Sequence, residues 1–199
     1  MDLLPIRRAI LSVTDKTGLA DFAKFLHEAG VELVSTGGTK AAMTQAGLPV
    51  TAVDQVTGFP EMLDGRVKTL HPHIHAGILA DKDNPGHMDT LAKFGLVPFD
   101  LVCVNLYNFA KAVAAKAQAK AAVEQIDIGG PTMLRASAKN YHSVLVVPSP
   151  EHYPAVMAAL AAADMRAPLE LRRQMAARTF QTTSNYDAMI ADYLAQAVE

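Results

Sequence analysis

The stretch VELVSTGGTK, Val31 to Lys40, decides the reading of this chain. Its first half is a short apolar run of the kind that forms a buried strand, and its second half sets two hydroxyls and two glycines ahead of a helical pattern over Lys40 to Ala46 that Gly47 closes. The preceding unit has the same plan. An apolar run ending Arg8 to Val13 reads as a strand and TDKTG follows it. Leu19, Phe22, Leu26 and Ala29 then recur at helical spacing until Gly30, with Thr14 or Asp15 available as the helix cap. A third short strand, PVTAV, comes next. Repeated strand, loop and helix predicts an α/β fold with a parallel sheet, right-handed crossovers and a ligand site at the carboxyl ends of the strands.

Both early loops therefore face one rim of the sheet. Thr36, Gly37, Gly38 and Thr39 suit an anion, because residues without a Cβ let backbone amides close on a phosphate at the positive end of the next helix. The same four residues also suit a plain tight turn, and neither loop has the spacing of a Walker A or dinucleotide motif. Lys16 at the matching place in the first unit can neutralise the same anion.

The whole chain limits the choices further. Its 199 residues fit one domain over 1–199, with 150–199 as a helical extension packed on it. Eighteen Lys and Arg against 20 Asp and Glu give a net charge of −2, so no global field draws the protein to nucleic acid or an anionic membrane. The single cysteine, Cys103, excludes an internal disulfide and sits in the apolar run LVCVNL, where a buried thiol is expected. No signal peptide is legible, and no apolar run approaches the roughly 20 residues of a membrane span, which points to a soluble, cytoplasmic protein.

Glu61 to Ala80, EMLDGRVKTLHPHIHAGILA, gathers Arg66, Lys68, Thr69, His71, His73 and His75. Asp64-Gly65 reads as a turn and Pro72 opposes a helix through the middle, so the segment is expected as an irregular loop, followed by a short strand over Ala76 to Ala80. Such density of cationic groups suits an anionic partner, and it also suits an ordinary polar loop. Alternate histidines on an extended segment can share a face and bind metal, although Pro72 interrupts them and no acidic partner is apparent.

Further on, Met88 to Phe94 reads as a helix ended by Gly95, and FDLVCVNLYNF as the central strand with Asn105 and Tyr107 at its carboxyl end. Ala110 to Ala122 reads as a solvated helix or connector. Gly129-Gly130-Pro131 opens a helix whose inner face carries Met133, Leu134 and Ala138, with Asp127 before it and Arg135 and Lys139 along it. Taken alone, those residues fit a capping aspartate and an exposed lysine. Ser143 to Val147 is the last strand. Three helical patterns follow, Tyr153 to Ala163, Leu169 to Thr182 and Tyr186 to Ala197.

Five segments, SVTDKTGL, STGGT, FPEMLDGRVKTLHPHIHAGIL, VNLY and EQIDIGGPTMLRASAKN, stand in the order of the inosine monophosphate (IMP) cyclohydrolase domain. The chain resembles this N-terminal part of the bifunctional purine-biosynthesis enzyme, which also carries a transformylase, along essentially its whole length. The resemblance implies a methylglyoxal-synthase-like fold, a cytoplasmic homodimer, and dehydrative closure of formamidoimidazole-carboxamide ribotide to IMP without metal or organic cofactor. It also implies either a stand-alone cyclohydrolase or a domain of a longer, transformylase-bearing protein.

By the same resemblance, Thr14, Asp15 and Lys16, Thr36 to Thr39, and Arg66, Val67, Lys68 and Thr69 are expected in nucleotide-binding loops. Val104, Asn105, Asp127 and Ile128 are expected at the base, and Lys68, Tyr107, Asp127 and Lys139 as the catalytic set. Asn108 and Ser137 depart from the proline and alanine expected there. The alternative function is a non-catalytic module of the same fold that binds a phosphorylated effector.

Overall fold

The apolar runs become the strands of one parallel sheet. The structure, a computed structural model, describes residues 1–107, 109 and 119–196. After a short first strand, β1 (Leu3–Pro5), come β2 (Arg8–Val13), β3 (Glu32–Ser35), β4 (Thr51–Ala52), β5 (Leu101–Asn105) and β6 (Leu145–Val147). The order β4-β3-β2-β5-β6 is parallel at every pairing. Ile10, Leu11, Val34, Leu101 and Val102 are fully buried, as expected of strands covered on both faces. Truncating any of these large side chains to alanine should cost roughly 2–5 kcal/mol.

Register aligns the site. Val13 lies opposite Asn105, and Leu11 opposite Ser35, so the chain leaves β2, β3 and β5 on the same rim.

The helices are α1 (Leu19–Glu28), α2 (Gly37–Gln45), α3 (Val53–Thr57), α4 (Pro72–Leu79), α5 (Pro85–Lys93), α6 (Ala119–Val123), α7 (Gly129–Lys139), α8 (Tyr153–Ala162) and α9 (Leu169–Gln196). In α1, Leu19, Phe22, Ala23 and Leu26 turn inward, and Phe22 stacks on Tyr153 with ring centres 4.4 Å apart. Gly30 ends the helix at φ 82°, accepting the left-handed conformation while Val31 N–H closes on Leu26 O at 3.0 Å.

Several boundaries differ from the sequence reading. The residue before α1 is Gly18 with no side-chain cap; Asp15 instead accepts the Thr17 amide at 2.9 Å and the Thr17 hydroxyl at 2.7 Å, forming a turn upstream. Helix α2 starts at Gly37, within the glycine loop, rather than at Lys40. PVTAV supplies a two-residue strand before α3 takes over.

The largest correction concerns Ala76 to Ala80, whose first four residues belong to helix α4 and not to a strand, with Ala80 ending the helix. Pro72 occupies the first turn, where its missing N–H costs no helical bond, and His71 caps the helix by accepting the His73 amide on Nδ1 at 3.1 Å. A proline read as a breaker is therefore a starter. In the helix, His73 and His75 are two residues apart and point to different sides, so the shared face invoked for a metal disappears. Among the described residues no group of three metal-ligating side chains converges.

The last two helical patterns fuse into α9, because Thr183 to Asn185 contains neither glycine nor proline and Met175, Thr179 and Thr183 continue one buried face. The segment 150–199 also holds a strand missed in the sequence, β7 (Arg166–Pro168), antiparallel to β1. Helix α9 packs on α7 and β6. Its fully buried Arg172 donates to the carbonyls of Met1 (2.7 Å), Asp2 (3.2 Å), Tyr141 (3.0 Å), His142 and Ala167 (3.2 Å), tying the amino-terminal residues to the extension. Within the Ala110 to Ala122 stretch, residues 110–118 lie outside the described residues, as does Asn108.

Candidate active site

One cavity of about 680 Å³ opens on the carboxyl rim of the sheet. It collects Thr14 and Lys16 after β2, Thr36 to Thr39 after β3, Asn105 and Tyr107 after β5, Arg66, Lys68 and Thr69 from the cationic stretch, and Asp127 to Gly130 at the start of α7. Segments separated by most of the chain meet because the parallel sheet ends its strands together.

At one end, α2 presents its first turn. Thr36 is extended and makes no side-chain cap, so the first amides of the helix are unclaimed by that hydroxyl. A Cβ on Gly37 would stand 3.6 Å from Lys68 Nζ, and one on Gly38 3.8 Å from Lys16 Nζ. Two ammonium groups thus face a helix amino terminus across bare backbone, an arrangement suited to an anion. Gly37 has φ 53°, which favours glycine in its own right.

The hydroxyl of Thr39 has another task. Its Oγ1 accepts the Val13 amide and donates to the Val13 carbonyl, both at 2.9 Å, and the residue is buried. It fastens α2 to the end of β2. Asn105 is likewise a brace: Oδ1 accepts the amides of Thr14 (2.7 Å) and Asp15 (2.9 Å), while Nδ2 donates to Asp15 O (2.8 Å). These bonds shape the Lys16 loop before any ligand arrives.

At the other end stands Asp127. One carboxylate oxygen accepts the Gly130 amide at 2.8 Å, capping the first turn of α7, and its own backbone N–H donates to the Tyr186 hydroxyl at 2.9 Å. Burial pushes its carboxyl pKa up, opposed by the amides of Gly130 and Tyr107. A Cβ on Gly130 would collide with that carboxylate, and one on Gly129 would stand 2.7 Å from Thr69 Oγ1, so both glycines are required by close approach.

The cationic stretch forms a hairpin closed by an antiparallel bridge between Met62 and Val67. Lys68 Nζ lies 2.6 Å from Glu61, and Arg66 pairs with Glu124 across the mouth of the cavity. Neither carboxylate had been singled out in the sequence. The Asp64-Gly65 turn contained the needed signal for Glu61, since a hairpin centred there sets residues 61 and 68 opposite each other. Tyr186 had no such signal, because its contact with Asp127 spans 59 positions.

Four expected residues fall outside the cavity lining. Asp15 turns its carboxylate to Thr17, whose hydrogen bonds hold its pKa below the ordinary range. Val67 builds the hairpin, and the Val104 side chain is buried in β5. Lys139 is exposed at the carboxyl end of α7, ten residues from Gly129 and therefore about 15 Å along the axis from the turn that meets the cavity. Cys103 is buried 3.3 Å from the Tyr153 hydroxyl, and burial raises its thiol pKa to about 12. It is a core residue.

The parallel α/β domain thus brings strand ends, lysines and helix starts around one polar cavity. Residues 18–132 match the family model of the MGS-like domain, and residues 137–199 match that of the AICARFT/IMPCHase bienzyme. The chain belongs to the MGS-like domain family. It is 56% identical over 190 residues to the bifunctional purine biosynthesis protein PurH of Lacticaseibacillus casei (strain BL23), covering 95% of this chain. It is 50% identical over 198 residues to PurH of Mesorhizobium japonicum, covering 100% of this chain. The chain spans 37% of the length of each of these relatives. Among solved structures, one described as the crystal structure of ForH superposes with a TM-score of 0.82 at 31% identity, covering 95% of this chain and 98% of that one.

No described helix is long and apolar enough to cross a membrane.

Proposed function

We propose that this chain is an IMP cyclohydrolase, which closes formamidoimidazole-carboxamide ribotide to IMP with loss of water. The observation that carries the proposal is the cavity's polarity: Lys16 over the start of α2 at one end, and a half-buried carboxyl over the start of α7 at the other. A ribotide has its phosphate and its reacting groups at opposite ends in the same sense. The names of the relatives support a purine-biosynthesis enzyme.

In this reaction the carboxamide nitrogen bonds to the formyl carbon, its proton reaches the formyl oxygen, and the resulting hydroxyl leaves as water with a proton from the formamido nitrogen. Attack is intramolecular, so a cavity that holds the two substituents coplanar supplies much of the rate. In the proposal Asp127 orients the amide and accepts its proton, a task helped by a raised pKa that brings the carboxyl nearer to the working pH. The backbone amides at the start of α7, at Ile128 and Gly129, stabilise charge developing on the formyl oxygen. Lys68 and Tyr107 serve proton transfer to the departing hydroxyl. The share expected of Lys139 falls to Lys68 within a single chain.

The proposal includes a homodimer as the working state and needs no metal or organic cofactor. Incubation with the open-ring ribotide, followed by purine ultraviolet absorbance, tests it. Formation of IMP with Michaelis kinetics is expected. Nucleotide binding without turnover would replace it with the effector-binding module.

A further inference from the structure

We propose that Glu61 is the positioning residue for Lys68, holding its ammonium from behind so that one face stays turned to the substrate. The inference rests on the cyclohydrolase reading and deepens it. Glu61 and Lys68 stand opposite each other across the hairpin that the Met62–Val67 bridge closes, and their charged atoms are 2.6 Å apart. A side cavity of about 160 Å³ adjoins the main one. Lys68 lines both, whereas Glu61 lines only the side cavity. The carboxylate therefore approaches from the side away from the catalytic cavity.

The hairpin is shaped for that approach. Gly65 has φ 90°, and a Cβ there would meet Glu61 Oε1 at 2.7 Å and Lys68 Nζ at 3.4 Å. Any larger residue would separate the pair. A lysine side chain has four rotatable bonds, and on the rim of an open cavity it would sample many positions; one carboxylate behind it restricts them. With Lys68 24% exposed and Glu61 48% exposed, the pair adds little to stability. Its effect is on placement.

The test uses the full chain with Glu61→Gln, Glu61→Asp and Gly65→Ala. Turnover of the open-ring ribotide is measured, together with the rate at which trinitrobenzenesulfonate labels Lys68, read by peptide mass spectrometry. Glu61→Gln should lower kcat roughly 10- to 100-fold with KM within about threefold of wild type, because a misplaced group acts mainly on the transition state. Labelling of Lys68 should become faster, and Glu61→Asp should recover part of both changes. Gly65→Ala should reproduce both, and decides the matter if Glu61→Gln does not fold. Unchanged labelling of Lys68 overturns the proposal whatever happens to kcat. If wild type does not act on the ribotide, the cyclohydrolase reading falls while the labelling comparison still decides whether Glu61 holds Lys68.

Discussion

Removing the ligand's phosphate is the perturbation that most simply probes the two-ended cavity. The Gly38 position lies 3.8 Å from Lys16 Nζ, measured from where a Cβ would be, so an anion seated over the α2 terminus meets that ammonium and the first amides of the helix. Hydrogen bonds to charged groups contribute roughly 1.5–3 kcal/mol each, so losing two weakens binding by about 3–6 kcal/mol, or a factor of roughly 10² to 10⁴. Calorimetry should therefore find inosine bound at least about a hundredfold more weakly than inosine monophosphate. Lys16→Met should remove roughly tenfold or more of that difference and leave inosine affinity nearly unchanged. Arg66→Ala should matter less, because Arg66 is exposed and already paired with Glu124; exposed pairs contribute about 0–1 kcal/mol. Equal affinity of wild type for nucleotide and nucleoside would refute the anion site and reduce the glycine loop to a turn.

Other outcomes separate catalysis from scaffolding. Asp127→Asn should lower kcat at least about a hundredfold, the scale of a lost general base. Because burial raises the Asp127 pKa, its charge costs stability at neutral pH and nothing once it is protonated; Asn should therefore melt no lower than wild type at neutral pH. For the same reason the acid limb of kcat/KM should fall away at a higher pH than an ordinary aspartate would give. Tyr186→Phe leaves the Asp127 amide without its acceptor, a loss of about 1–3 kcal/mol, which thermal unfolding should show as a drop of at least about 2 °C. Lys139→Ala should keep kcat within about tenfold of wild type, since the residue lies about 15 Å along α7 from Gly129; a loss as large as that of Lys68→Met, read in the same turnover assay, would mean that Lys139 reaches a substrate by another route.

The parallel sheet was legible because its strands are continuous apolar runs and its turns carry glycine. Ile10, Leu11, Val34 and Val102 declared themselves by composition, and Gly30 by its place after a helical pattern. The cavity's membership was legible for a related reason: strands in register deliver their following loops to one rim. What each side chain does there was less accessible. Thr39 and Asn105 look like ligand contacts by type, yet their hydrogen bonds go to Val13, Thr14 and Asp15. Pro72 illustrates an ambiguity of position, since the same residue breaks a helix in its interior and begins one in its first turn. Lys139 stands ten residues along α7 from Gly129, a separation in space that its place in the motif does not convey. Tyr186 and β7 were hidden because their partners, Asp127 and β1, are distant in the chain.

The central claim is tested most directly by adding purified protein to formamidoimidazole-carboxamide ribotide, with wild type and Asp127→Asn compared at equal nucleotide affinity, and following the purine absorbance. The account expects wild type to produce IMP at many turnovers per chain while Asp127→Asn, folded and still binding IMP, is slower by at least about a hundredfold. Wild type that binds IMP but yields no purine, or an Asn variant as fast as wild type, would contradict it.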